Sequence, residues 1–363
     1  MSKQNGGVLM LSIYVKRGLL ALALFSLLAA VAGCSFNSAE KSADREKKVK
    51  LIADSDKLYV GFAIDTLKEE RWYKDKEAFE KEVKNLGGEV KTLAANGNKE
   101  VQIQQAELLI SEGVDVLVVV PADADAAAEI VKKAHSAGVK VISYDRLIRN
   151  ADVDYYVSFD NEKVGELQAE AIVKKAKQGN FVYIGGSSLD NNAVLFRNGA
   201  MKVLEPLKQQ GKVKVVLDEY TKDWLPEEAK KNMKKALNKT KDIDAVIAAN
   251  DGTAGGVIEA LQEAGLAGKI PVSGQDAELQ GVQRIVNGTQ TMTVYKPIHT
   301  LAKKGAEMAV QAAKGEAIQT DTTVENGKAK VPAILLEPYA VTKGNINETV
   351  IKDGHLSKKD IDK

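Results

Sequence analysis

Val114 to Asp145 reads VDVLVVVPADADAAAEIVKKAHSAGVKVISYD. An apolar run, Val116 to Val120, leads into a polar turn that carries Pro121 and two aspartates. A stretch with helical periodicity follows and ends in Ala137-Gly138. A second apolar run, Val139 to Tyr144, stops at Asp145. Strand, helix, strand is the unit of a parallel sheet, because neighbouring parallel strands need a crossover between them. The same order recurs in IDAVIAANDGTAGGVIEALQEAGLAGKIPVSGQD, Ile243 to Asp276, which also ends in aspartate. One copy in each half of the chain predicts two lobes of similar design.

Working outward, short Val- and Ile-rich runs alternate with helical segments from Lys57 onward. The expected strands are Tyr59–Ile64, Val90–Ala94, Val116–Val120, Val139–Tyr144, Tyr155–Phe159, Phe181–Ile184, Val213–Leu217, Ala245–Ala249, Pro271–Ser273 and Met292–Tyr295. Between them, Lys163–Lys177 carries Val164, Leu167, Ala171 and Ile172 on one helical face, with charges opposite. The stretch YDRLIRNADVDYYVSFDNEKVG, Tyr144 to Gly165, opens with Asp145-Arg146 and ends at a helix start. It is expected to bring ligand-binding groups at its first residues and the first crossing between lobes over Phe159 to Lys163.

The 363 residues include 51 basic and 50 acidic side chains, a formal net charge of +1. That length suits two domains, each with its own core. The balanced charge lacks the basic stripe that nucleic acid would need. Cys34 is the single cysteine, so an intrachain disulfide and a Cys-based metal site are excluded. His135, His299 and His355 are scattered without ligand spacing, and no metal or other cofactor is expected.

Lys16 and Arg17 precede an uncharged run, Gly18 to Ala32, that ends in Val31-Ala32-Gly33-Cys34. This is the order of a secretory signal, and the run is short for a membrane span. Cys34 after small residues resembles a bacterial lipobox, in which the thiol takes a diacylglycerol and becomes the mature N-terminus. Met10 would give such a signal a more usual length. Residues 35–56 begin with a polar, charged segment that reads as a flexible tether. The folded part is therefore expected on the outer face of the cell membrane, anchored through lipidated Cys34.

Several enzyme signatures are missing. GFAIDTLKEE follows the first strand in place of a dinucleotide fingerprint, and Gly185-Gly186-Ser187-Ser188 is a glycine turn without the phosphate pattern. There is no serine elbow, Walker lysine or recognisable acid pair.

In open α/β sheets, ligands bind beyond the carboxyl ends of the strands. This chain places there Asp65, Arg71 and Trp72, Asp145 and Arg146, Asp190 to Asn192, and Trp224 just before Pro226. Asn250 and Asp251, then Asp276 and Lys296, complete the set. Any one Asp or Asn at such a position also suits a helix cap. Together they suit a sugar, whose hydroxyls take charged hydrogen bonds and whose C–H faces lie against an indole.

These stretches resemble the bacterial substrate-binding proteins of sugar ABC transporters. The resemblance runs from about Lys57 to Gly354. It is carried by ERWYKD (70–75), YDRLIRNADVDYYVSFDNEKVGELQAEA (144–171), LDNNAVLFRNGAMKVL (189–204), ANDGTAGG (249–256), GQDAELQG (274–281) and GTQTMTVYKPI (288–298). It is strongest to the members that take up D-xylose. It implies an α/β fold of the periplasmic-binding-protein type I class, with two Rossmann-like lobes, parallel sheets and a three-strand hinge. The implied sugar contacts are Arg71, Trp72, Asp145, Arg146, Asp190, Asn192, Trp224, Asn250, Asp276 and Lys296, with the two tryptophans flanking the ring.

On this reading residues 1–34 are the lipoprotein signal. Residues 57–161 plus 297–330 form the N-terminal lobe, 162–296 plus 331–352 the C-terminal lobe, and 353–363 a polar tail. The expected partners are D-xylose or a closely related aldose and an ABC permease, with the protein a monomer and not an enzyme. A sensor that presents xylose to a membrane histidine kinase or chemoreceptor is the alternative. A repressor with the same lobes would need a helix-turn-helix where this chain has its signal and tether.

Overall fold

A computed structural model describes residues 49–363, which cluster as one unit. The expected signal, Cys34 and residues 35–48 of the expected tether lie outside the described residues. In chain order the strands are β1 (Tyr59–Ile64), β2 (Glu89–Ala94), β3 (Val116–Val120), β4 (Lys140–Tyr144), β5 (Tyr155–Phe159), β6 (Gly179–Ile184), β7 (Val213–Glu219), β8 (Ala245–Ala248), β9 (Thr293–Tyr295), β10 (Thr322–Glu325), β11 (Lys330–Leu336) and β12 (Tyr339–Val341). The helices are α1 (Glu70–Asn85), α2 (Lys99–Ser111), α3 (Ala128–Ser136), α4 (Asn161–Lys175), α5 (Asn191–Gln209), α6 (Pro226–Lys239), α7 (Asp251–Glu263), α8 (Leu279–Asn287), α9 (Ile298–Lys314) and α10 (Lys358–Ile361).

The first sheet has the order β10-β11-β5-β4-β3-β1-β2, parallel except for the β10–β11 pair. Side chains alternate across a strand, and β3 shows the result. Leu117 and Val119 pack with Leu109 of α2 and Ile130 of α3, while Val116, Val118 and Val120 pack with Phe79 of α1 and Leu301 of α9. Both faces are covered, which is why these strands read as continuous apolar runs.

The second sheet, β7-β6-β8, repeats the design. Phe181 and Tyr183 of β6 face α4 and α5 through Ile172 and Leu204, and Val182 and Ile184 face α6 and α7 through Met233 and Val257. The expected strand at Pro271–Ser273 is reduced to one bridge, Val246 with Val272. Its ladder ends because the Ser273 hydroxyl replaces the backbone: the Ala248 N–H donates to Ser273 Oγ, and that hydroxyl donates to the Ala248 carbonyl, both at 3.0 Å. A separate pair joins β9 to β12 in antiparallel register.

The chain passes between the two halves at Asp160, at Lys296-Pro297 and at Glu337-Pro338, and the Asp160 N–H donates to the Leu336 carbonyl at 2.9 Å. Three expected assignments change. Residues 331–352 were assigned whole to the C-terminal lobe, yet β11 pairs with β5, Ala333 against Tyr156, so 331–336 belong to the first sheet. β10 and β11 are joined by the four-residue turn 326–329, in which Gly327 takes φ 93°. Residues 353–363 are not merely a polar tail. Leu356 and Ile361 are buried beside Ala277, Val282 and Ile285. Nor are 49–56 free of the fold: the Leu51 N–H donates to the Glu112 carbonyl at 2.9 Å, and Lys50 pairs with Asp115 at 2.7 Å.

Candidate functional site

The three basic side chains of the site are held by acids from both halves of the molecule. Arg71, one residue inside α1, pairs with Asp75 and Asp145 at 3.0 Å each and with Asp276 at 3.3 Å. Arg146, just past β4, pairs with Asp65 at 2.7 Å and Asp190 at 2.8 Å. Lys296, just past β9, lies 3.4 Å from Asp145 and over the rings of Phe159 and Phe196, 5.6 and 5.7 Å from their centroids. All three are buried.

Local backbone explains why these groups converge. Asp145 has φ 59°, a left-handed conformation that costs an L residue about 1–3 kcal/mol unless its surroundings hold it. They do: its N–H donates to the Val157 carbonyl at 2.8 Å, and its own carbonyl accepts from Ser158 Oγ at 2.5 Å and Tyr156 Oη at 3.0 Å. The sharp turn aims the Asp145 carboxylate at Arg71 and leaves Arg146 free to reach Asp190. Asp190 caps α5 by accepting from the Asn192 N–H, and Asn192 Nδ2 donates to Asp145 Oδ1 at 3.0 Å. Asn250 caps α7 with its Oδ1 on the Thr253 N–H at 2.8 Å, which leaves its amide NH2 for a ligand. The helix-cap reading and the pocket position hold together for Asp190 and Asn250.

The indoles sit on opposite supports. Trp72 lies under Arg71 and Arg146, whose guanidinium carbons are 4.3 and 5.0 Å from its ring centroid. Trp224, at φ 59° in a one-turn 3-10 segment, lies against Gly186, where a Cβ would come 2.0 Å from the ring. That contact leaves no room for a side chain at Gly186. Trp224 also meets Phe196 edge-on at 6.4 Å.

One pocket, with about 310 Å³ of atom-free space, is lined by all ten of the residues expected from the sequence. Glu69, Phe196 and Gln275 line it as well and were not foreseen. Phe196 lies one helical turn after Asn192, and Glu69 and Gln275 precede Arg71 and Asp276, but none of the three carries a distinguishing pattern. Glu69 Oε2, Gln275 Oε1 and Trp224 Nε1 are buried with no hydrogen-bond partner in the chain. An unmade bond at each costs about 1–3 kcal/mol, which a hydroxyl-bearing ligand would recover.

Electrostatics divide the acids. Burial would push the Asp145 carboxyl up, but Arg71, Lys296 and Arg146 outweigh it and hold it at about 2. For Asp190, Asp75 and Glu69 burial wins and raises the pKa. Burial lowers that of Lys296 despite Asp145. The pocket thus offers an ionised acceptor at Asp145 beside donors on Arg71, Arg146, Asn192 and Lys296, a set matched to hydroxyls that both give and take hydrogen bonds. Among the described residues no cluster of His, Cys, Asp and Glu is arranged for a metal, and no helix is long and apolar enough to cross a membrane.

Comparison with known proteins agrees with this fold. Residues 60–317 match the periplasmic binding protein domain, and the chain belongs to that family of binding proteins, which are not enzymes. Among its relatives, the D-xylose-binding periplasmic protein of Haemophilus influenzae is 52% identical over 310 residues, covering 85% of this chain and 93% of that one. The D-xylose-binding periplasmic protein of Escherichia coli is 52% identical over 305 residues, covering 84% and 92%. The solute-binding protein of a Chloroflexus aurantiacus carbohydrate transporter, solved in complex with D-glucose, superposes with a TM-score of 0.78 at 36% identity, covering 84% of this chain and 98% of that one. The fold is thus the α/β periplasmic-binding-protein type I fold read from the sequence.

Proposed function

We propose that this protein captures D-xylose, or a closely related aldose, between its two lobes and delivers it to an ABC permease from a lipid anchor at Cys34. The observation that carries the reading is the convergence of Arg71, Asp145, Arg146, Asp190, Asn192, Asn250, Asp276 and Lys296 with both indoles in one pocket. The 52% identity to two D-xylose-binding proteins supports the choice of sugar.

Sugar binds one lobe of an open form. Closure then adds the groups of the other lobe, so the ligand selects the closed state through contacts available only there. Trp72 and Trp224 cover the two faces of the ring, and the charged groups take its hydroxyls. Isothermal titration with D-xylose is expected to give one-to-one binding, with weaker heats for L-arabinose and D-ribose. No heat with any pentose or hexose overturns the proposal. The glucose in the Chloroflexus structure favours a second reading, in which the pocket also admits a hexose; D-glucose in the same titration decides it. Incorporation of radiolabelled palmitate, lost on Cys34→Ala, tests the anchor.

A further inference from the structure

Asp251 lies directly beneath the loop that carries Asp276, fully buried at the first position of α7. Its contacts flank Asp276 on both sides. The Asp251 N–H donates to the Gln275 carbonyl at 2.9 Å, and Asp251 Oδ2 accepts from the Glu278 N–H at 2.9 Å. The same Oδ2 accepts from Thr293 Oγ1 at 3.0 Å, and Thr293 Oγ1 accepts from the Ala277 N–H at 3.2 Å. Gln290 Nε2 donates to the remaining Oδ1 at 2.6 Å. The loop is built around this carboxylate: a Cβ at Gly274 would come 2.0 Å from Asp251 Oδ1, and one at Gly281 would come 2.3 Å from its Oδ2.

The loop needs such an anchor. Asp276 has φ 94° and Ala277 φ 50°, two consecutive residues in a region that L side chains rarely adopt. In this conformation the Asp276 carboxylate lies 3.3 Å from Arg71 and lines the pocket. In the other lobe, hydroxyls of Ser158 and Tyr156 hold the equivalent turn at Asp145. In this lobe a buried carboxylate does the corresponding work, and it does not line the inner pocket.

We propose that Asp251 is a positioning residue for sugar recognition, fixing the backbone of residues 275–278 so that the Asp276 carboxylate faces the ligand. This rests on the sugar-binding reading of the pocket. It predicts that Asp251 acts on affinity through Asp276 and not through the fold at large.

The test is a double-mutant cycle on the full chain in detergent, read by isothermal titration with D-xylose and its monodeoxy analogues. Asp276→Asn is expected to weaken xylose binding by about tenfold or more, as loss of a charged hydrogen bond does. Asp251→Asn should weaken it comparably, and the double variant should be no weaker than Asp276→Asn alone, the sign of residues acting as one unit. The deoxy analogue that is blind to Asp276→Asn should also be blind to Asp251→Asn. Unchanged affinity in Asp251→Asn, or effects that multiply in the double variant, overturns the proposal. If Asp276→Asn itself has no effect, the pocket reading fails and takes this inference with it. Should Asp251→Asn not fold, Thr293→Val breaks the relay to the Ala277 N–H and must give the same non-additive pattern.

Discussion

Asp145 and Asp276 end the two copies of one repeated β-α-β unit, and both carry a left-handed backbone, φ 59° and 94°. Both reach the same guanidinium, that of Arg71, at 3.0 and 3.3 Å. A duplicated turn in two lobes has thus been joined across the cleft by one arginine from the first lobe.

Arg71 is the shared ion-pair partner of three buried carboxylates, so its removal leaves buried negative charge uncompensated. Arg71→Met is expected to destabilise the protein by about 3–5 kcal/mol and to abolish sugar binding. Urea unfolding and titration calorimetry check the two parts. Asp75→Asn, at a residue outside the pocket lining, separates them: it should cost stability while leaving measurable affinity.

Trp224 lines the pocket, and the proposed role of its indole as an apolar face for the sugar predicts that replacement by Ala weakens binding by about 1–3 kcal/mol. Gly186→Ala is the sharper test. The added methyl would meet the indole at 2.0 Å, so the ring must shift although no polar contact is lost. Affinity is expected to fall with little change in the far-ultraviolet circular dichroism.

Trp72 and Trp224 are the only indoles in the chain, and both line the pocket. Intrinsic fluorescence should therefore respond to sugar with the same midpoint as calorimetry. Phe substitutions at each position assign the change: the signal should survive in part in either single variant and vanish in the double.

His355 gives stability a pH dependence. Burial first, then Lys74, lowers its pKa to about 4 from 6.5, so the folded state holds the ring neutral, donating Nε2–H to the Ala277 carbonyl at 3.0 Å. The unfolded chain takes up this proton at the higher pH. The contribution is therefore complete above pH 6.5 and is lost as pH falls toward 4. Between pH 7 and pH 5 it amounts to about 2 kcal/mol. His355→Gln should flatten that part of the stability profile in urea unfolding, and an unaltered slope would refute the assignment.

The parallel core was legible because strands covered on both faces carry unbroken apolar runs, and the pocket because strand ends in such sheets face one crevice. The repeat by itself singles out Asp145 and Asp276. β10 and β12 escaped notice because they are short and lie at a sheet edge or in a two-stranded pair, and β11 because Pro332 breaks its run near the start. Ser273 shows a different obstacle, since a side-chain hydroxyl that substitutes for a ladder bond leaves no trace in hydropathy. Glu69 and Gln275 adjoin foreseen residues, yet only burial of their unpartnered oxygens marks them. In the final stretch Leu356 and Ile361 were diluted by the Lys and Asp around them.

The packing of that last segment has a consequence for how the protein is made. Chains emerge N-terminus first, and the binding turn at Asp276-Ala277 is braced by His355, with Leu356 and Ile361 beside it. Every residue of the pocket is synthesised well before its brace. A product that stops before His355 would have both sheets and a turn at Asp276-Ala277 without this brace.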